Sequence, residues 1–147
     1  MTVLVWITEN TWRAAVDAAR PHAGAGARVT LMHVTGGDVA EAAHGAFAGL
    51  LGRGRPGPDP GDRVEALAED AAEELLEAAA ARLGGPAERV RAHGRVEHEV
   101  VRAAVGAELL ICARDGDISR PGPRSLSPAT RFVVDHAPGP VLLVWPR

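Results

Sequence analysis

The residues best suited to chemistry lie between Ala113 and Arg131. Arg114, Arg120, Arg124 and Arg131 stand there against Asp115 and Asp117, a local excess of two positive charges in a chain of formal net charge −3. Guanidinium groups meet phosphate oxygens through paired N–H donors, so the excess suits a phosphate-bearing ligand. A solvated loop whose charges pair with each other fits equally well. Ser127-Pro128 reads as a helix start: Ser is a preferred N-cap, and Pro in the first helical position gives up no needed hydrogen bond. The N–H groups of Ala129 and Thr130, with the positive end of the helix dipole, then face any bound anion. A serine that only caps the helix explains Ser127 by itself at least as well. Gly116 offers a positive φ and a close approach of backbone to ligand, or simply a turn.

Other chemistry is excluded or poorly supported. All 16 basic residues are Arg, so no Schiff-base lysine and no phosphate-loop lysine exists. Cys112 is the only cysteine, which rules out an internal disulfide and a cysteine zinc cluster. It falls in an apolar strand, where packing is its expected role, and a reducing cytoplasm is the expected setting. His93 and His98, beside Glu97 and Glu99, match no standard metal spacing. Gly52, Gly54 and Gly57 match a dinucleotide fingerprint in spacing, but they follow no strand, open no helix and enclose Pro56. No catalytic constellation emerges, so the chain is not expected to be an enzyme, beyond slow, incidental nucleotide hydrolysis. The mixed charge gives a nucleic-acid partner no support. The run Thr2 to Ile7 has no basic stretch before it and is too short for a signal peptide or a membrane span.

The elements that must position these residues are legible from apolar patterning. The 147 residues suit a single domain, and aromatics make up only 3%, so Val, Leu, Ile and Ala must build the core. Strands are predicted at Val3–Ile7, Val29–Val34, Leu109–Cys112 and Val141–Trp145, with a polar, alternating one at Arg89–Val96 that suits a sheet edge. Helices are predicted at 11–23, 62–83, 97–105 and 128–136. In the second of these, Val64, Leu67, Ala68, Ala71, Leu75 and Ala78 are expected to form the buried stripe. Gly84-Gly85-Pro86 stops it. Strands alternating with helices imply a parallel sheet with helices on both faces. Residues 35–61 interrupt the rhythm as a flexible insert, with a short helix expected over Glu41–Leu51 and a structureless loop over Gly52–Gly61.

Three features resemble the universal stress protein family. An N-terminal strand leads through a short polar turn into a helix. A strand ending in His33-Val34 precedes a long insert. The run from Ser127 through His136-Ala137-Pro138-Gly139-Pro140-Val141-Leu142-Leu143-Val144 looks like the family's closing helix and strand, and it is the most specific of the three. The resemblance implies an adenine-nucleotide alpha hydrolase-like fold: a five-stranded parallel sheet of order 3-2-1-4-5, with a cleft at the carboxyl ends of strands 1 and 4.

It also implies a ligand, ATP with magnesium or AMP, and a site. Thr8 and Glu9 hold the place of the family's strand-1 aspartate, with Glu9 set for a ribose hydroxyl; Asn10 or Thr11 capping the first helix is the local alternative. Val34 takes the place of the apolar contact to adenine, or simply ends a buried strand. Ala113, Arg114 and Gly116 occupy the Gly-x-x-Gly turn, of which only Gly116 keeps its glycine. Ser127-Pro128 stands for the Gly-Ser pair, one residue later than the family spacing, with Ala129 and Thr130 following. The nucleotide motif is therefore degenerate. A stress-associated regulatory protein that binds an adenine nucleotide weakly is one reading, and a dimeric interaction module without nucleotide is the other. The resemblance further implies a homodimer through the last strand, with Val141, Leu143 and Trp145 at the contact.

Overall fold

The computed structural model describes residues 1–36 and 60–146. Five strands, β1 (Thr2–Trp6), β2 (Arg28–Thr35), β3 (Glu88–His93), β4 (Leu109–Ala113) and β5 (Val141–Val144), form one sheet of order β3-β2-β1-β4-β5. Every pairing is parallel, and β1 is central, with Val3 level with Val29 on one side and Leu109 on the other. The order reverses between β1 and β4, which makes their carboxyl ends the switch point of the sheet.

The period of two along β1 divides the interior into two cores. Val3, Val5 and Ile7 face helices α1 (Trp12–Ala19) and α2 (Pro60–Leu83), packing with Ala15, Val16, Leu31, Leu76 and Ile111. Leu4 and Trp6 face the opposite way, towards α3 (Val96–Ala104) and α4 (Pro128–His136), and pack with Met32, Val34, Val100, Cys112 and Val133. Both faces of the central strands are covered, which is why their sequences are continuously apolar.

Several boundaries differ from expectation. Val96, read as the end of β3, begins α3, because Gly94 takes a φ of +131° and turns the chain after His93. The first helix closes at Ala19 and continues as a 3-10 turn over Arg20–His22, where Pro21 withholds a backbone N–H. Thr35 belongs to β2, and Pro60 and Gly61 already belong to α2. The rest of the expected insert, including the helix over Glu41–Leu51, lies outside the described residues.

The buried stripe of α2 also differs. Ala72, Leu76, Ala79 and Leu83 are buried and the expected Leu75 packs partly against them, whereas Leu67 is 63% exposed and Ala71 and Ala78 face outward. Apart from Gly61 in its first turn, the buried residues of this helix begin at Ala72, and those that pack into the core lie in its second half. β3 is an edge strand, as its polar alternation predicted, with Arg91 and His93 reaching Glu73 and Glu69 of α2 at 3.4 and 3.7 Å.

Candidate functional site

The loop from Arg114 to Ser127 links β4 to α4, and it folds back on itself. The Gly116 N–H donates to Ser125 O at 2.9 Å, and the Asp117 N–H to Arg124 O at 2.7 Å. This explains Gly116. Its φ is not positive; a Cβ there would lie 2.2 Å from Arg124 O, so the returning arm of the loop requires the glycine. The close approach expected at Gly116 is therefore to the chain itself.

Ser125 is fully buried and pins the fold of the loop. Its hydroxyl donates to Gly122 O at 2.6 Å and accepts from the Arg114 guanidinium. Arg114 also lies over the Trp145 ring, 5.1 Å from its centroid, and its N–H extends the sheet by donating to Val144 O. Arg131 donates to Pro123 O at 2.6 Å. Two of the four arginines are thus occupied in holding the loop.

At the amino end of α4, Ser127 is the N-cap, and its Oγ accepts from the Thr130 N–H at 3.2 Å. An anion is already present there: the Asp115 carboxylate. It accepts from Ser127 N–H at 2.9 Å, from Ser127 Oγ at 2.7 Å and from Thr130 Oγ1 at 2.8 Å. Thr130 is fully buried, so its hydroxyl needs such a partner. A carboxylate at this place satisfies the unpaired amide and complements the helix dipole, as a phosphate would.

The sequence-predicted residues therefore divide into groups. Arg114 and Gly116 are hydrogen-bonded to Ser125, whereas Ser127 and Thr130 are hydrogen-bonded to Asp115. Pro128 is exposed at the first turn of α4, while Ala113 is buried and Ala129 packs partly against the α3–α4 core. Thr8 and Glu9 lie in the turn after β1. Thr8 Oγ1 bonds Thr11 Oγ1 at 2.6 Å, and Thr8 O accepts the Trp12 N–H at 3.1 Å. Thr11 holds the N-cap position of α1 without a side-chain cap, and Glu9 is exposed. Val34 is buried beside Trp6 and Cys112. His33 donates its ring N–H to Ile7 O at 2.7 Å, tying the ends of β2 and β1 together beside the switch point.

Sequence reasoning missed the roles of Asp115 and Ser125. Asp115 lies twelve residues before the N-cap that it serves, and no local spacing advertises that pairing. Cys112 is buried beneath the same loop; desolvation first, and the Asp115 charge second, push its thiol up to about 12. His98 stacks on Phe132, and among the described residues no group of three or more metal-ligating side chains gathers. No helix of the described residues is long and apolar enough to cross a membrane.

No family model and no curated protein matches the sequence. Solved structures do match it along nearly its whole length. A universal stress protein in complex with cAMP superposes with a TM-score of 0.65 at 17% identity, covering 100% of this chain and 98% of that one. A universal stress protein family protein from Arabidopsis thaliana with AMP bound gives 0.62 at 14%, covering 100% and 92%. The universal stress protein UspA from Lactobacillus plantarum gives 0.59 at 21%, covering 98% and 97%. Strand order, the two helical layers and these superpositions together show that the chain has the universal stress protein fold.

Proposed function

We propose that this chain is a universal stress protein-like regulatory protein that takes an adenine nucleotide, AMP or ATP, weakly at the carboxyl ends of β1 and β4. The fold supports the ligand class, since two of the similar structures carry cAMP and AMP. The observation that makes the binding weak in this reading is the Asp115 carboxylate on the amino end of α4. A nucleotide phosphate seated there must displace three hydrogen bonds and tolerate the aspartate's charge nearby, so affinity is low. Thr8, in place of the family's aspartate, removes a charged partner for the ribose.

Catalysis is not part of the reading. The hydroxyls of Ser127 and Thr130 are committed to Asp115, and no lysine exists to polarise a phosphate. The same two observations favour a second reading, an interaction module that works without nucleotide.

Isothermal titration with AMP and with ATP plus magnesium tests this, on the full chain and on Asp115→Asn. Wild type is expected to bind with a dissociation constant on the order of millimolar, and removal of the aspartate charge to tighten it by about tenfold. Absence of heat from both proteins at saturating nucleotide would reject nucleotide binding and leave the interaction module.

A further inference from the structure

The four arginines of the β4–α4 loop have different fates. Arg114 and Arg131 are used on Ser125 Oγ and Pro123 O. Arg120 and Arg124 are exposed, and among the described residues their guanidinium groups have no partner. Both line one pocket of about 430 Å³, with Asp117, Pro121, Gly122 and Pro123.

Three features make this pocket more than a pair of surface charges. Its rim is stiff: Pro121 and Pro123 fix their own φ, and Gly122 between them sits at φ +143°, a conformation that side chains rarely adopt. Its base is anchored by the Gly116–Ser125 and Asp117–Arg124 backbone bonds and by Ser125 Oγ on Gly122 O. Its one carboxylate, Asp117, is turned to the loop through Oδ1, which accepts from Ser119 N–H at 3.0 Å and Ser119 Oγ at 2.6 Å, so the lining carries two positive charges against one negative. The lining therefore offers two free guanidinium groups on a pre-shaped loop.

We propose that this pocket is a binding site for a small phosphate-bearing anion, held by Arg120 and Arg124. Two forked donors on one rim match the oxygens of a phosphate or pyrophosphate better than those of a single carboxylate. The site is separate from the amino end of α4, where Asp115 already supplies the negative charge. It does not depend on the nucleotide reading.

The test is an NMR-detected titration of the full chain with inorganic pyrophosphate and, separately, with ATP. Wild type and the Arg120→Gln/Arg124→Gln double variant are compared. Both residues are exposed, so the variant is expected to fold, and an unchanged denaturation midpoint checks this. In wild type, pyrophosphate is expected to move the amides of residues 117–124 in a saturable way. The double variant should bind it at least about tenfold more weakly, the loss of two charge-assisted contacts. If pyrophosphate alone weakens, the site takes a free anion; if ATP weakens in parallel, it takes the phosphate chain of a nucleotide. Equal affinity in both proteins, shifts centred on Ser127–Thr130, or no shift at all would each overturn the proposal. Failure of ATP to bind would count against the nucleotide reading while leaving the pyrophosphate result standing.

Discussion

The carboxylate of Asp115 takes one main-chain N–H and two hydroxyl hydrogens at the start of α4, and so supplies internally the negative charge that such a helix end attracts. The same charge acts beneath the loop on Cys112. Burial chiefly, and Asp115 secondarily, hold the thiol protonated to about pH 12 in the folded chain, against 9.0 for a free one. The folded state thus keeps a proton that the unfolded state releases. Stability is unaffected below about pH 9 and falls as pH rises from there towards 12, by up to about 1.4 kcal/mol per pH unit. Urea midpoints of wild type and Cys112→Ala, measured at pH 8 and pH 10.5, check this. The wild type should lose more stability over that interval than the variant, and parallel losses would sink the assignment.

At the scale of elements, α2 separates pattern from packing. Leu67 and Leu76 are the same residue type in one continuous helix, yet Leu67 is 63% exposed and Leu76 is 2% exposed. Leu76→Ala should cost about 2–5 kcal/mol, because it opens a cavity between α2 and the sheet. Leu67→Ala should stay within about 0.5 kcal/mol. Urea denaturation of the two variants measures the difference, and similar losses would mean that the first half of α2 is covered. This contrast shows what sequence periodicity conveys. The apolar runs from Val3, Val29, Leu109 and Val141 were legible as strands because strands buried on both faces have few alternatives. The Ser127-Pro128 start of α4 was legible because capping is local. The stripe of α2 was misread because Ala is small enough to lie on either face, so Ala71 and Ala78 carry no sign of direction. The cluster around Asp115 was illegible for another reason. Its partners are twelve and fifteen residues away, and only the folded loop brings them together. Gly116 was singled out for a positive φ and a close approach to ligand, but its φ is not positive and the atom that needs the space is Arg124 O, which no spacing rule would name.

For the whole molecule, the two edges of the sheet are unlike. At β3 the edge carries Glu88, Arg89, Arg91 and His93, charged or polar groups that discourage another strand from adding on. At β5 the residues from Val141 to Trp145 are uncharged throughout, and the far side of the strand has no neighbour in the sheet order. Val141 and Leu143 pack partly into the α3–α4 core, Val144 packs against the α1–α2 core, and Leu142 is 36% exposed. The adjoining surface is mixed: Ile118 is 40% exposed, and with Ser119, Arg120, Pro121, Trp145 and Pro146 it lines a pocket beside the strand. Four residues of strand alone are too little for a stable interface, which needs roughly 1,000 Å² in total, and this neighbouring patch enlarges the available area. A two-fold axis beside β5 would pair it with its own copy and close the edge without leaving another. We therefore expect a homodimer with a mass of about 31 kDa, twice the 15.3 kDa of the chain. Leu142→Lys places a charge on the edge strand at a residue outside both apolar cores, so the variant should fold and run as a monomer. Size-exclusion chromatography with light scattering, with circular dichroism as the check on folding, reads both. A wild-type protein at the monomer mass, or a folded Leu142→Lys variant that stays dimeric, would remove β5 as the contact.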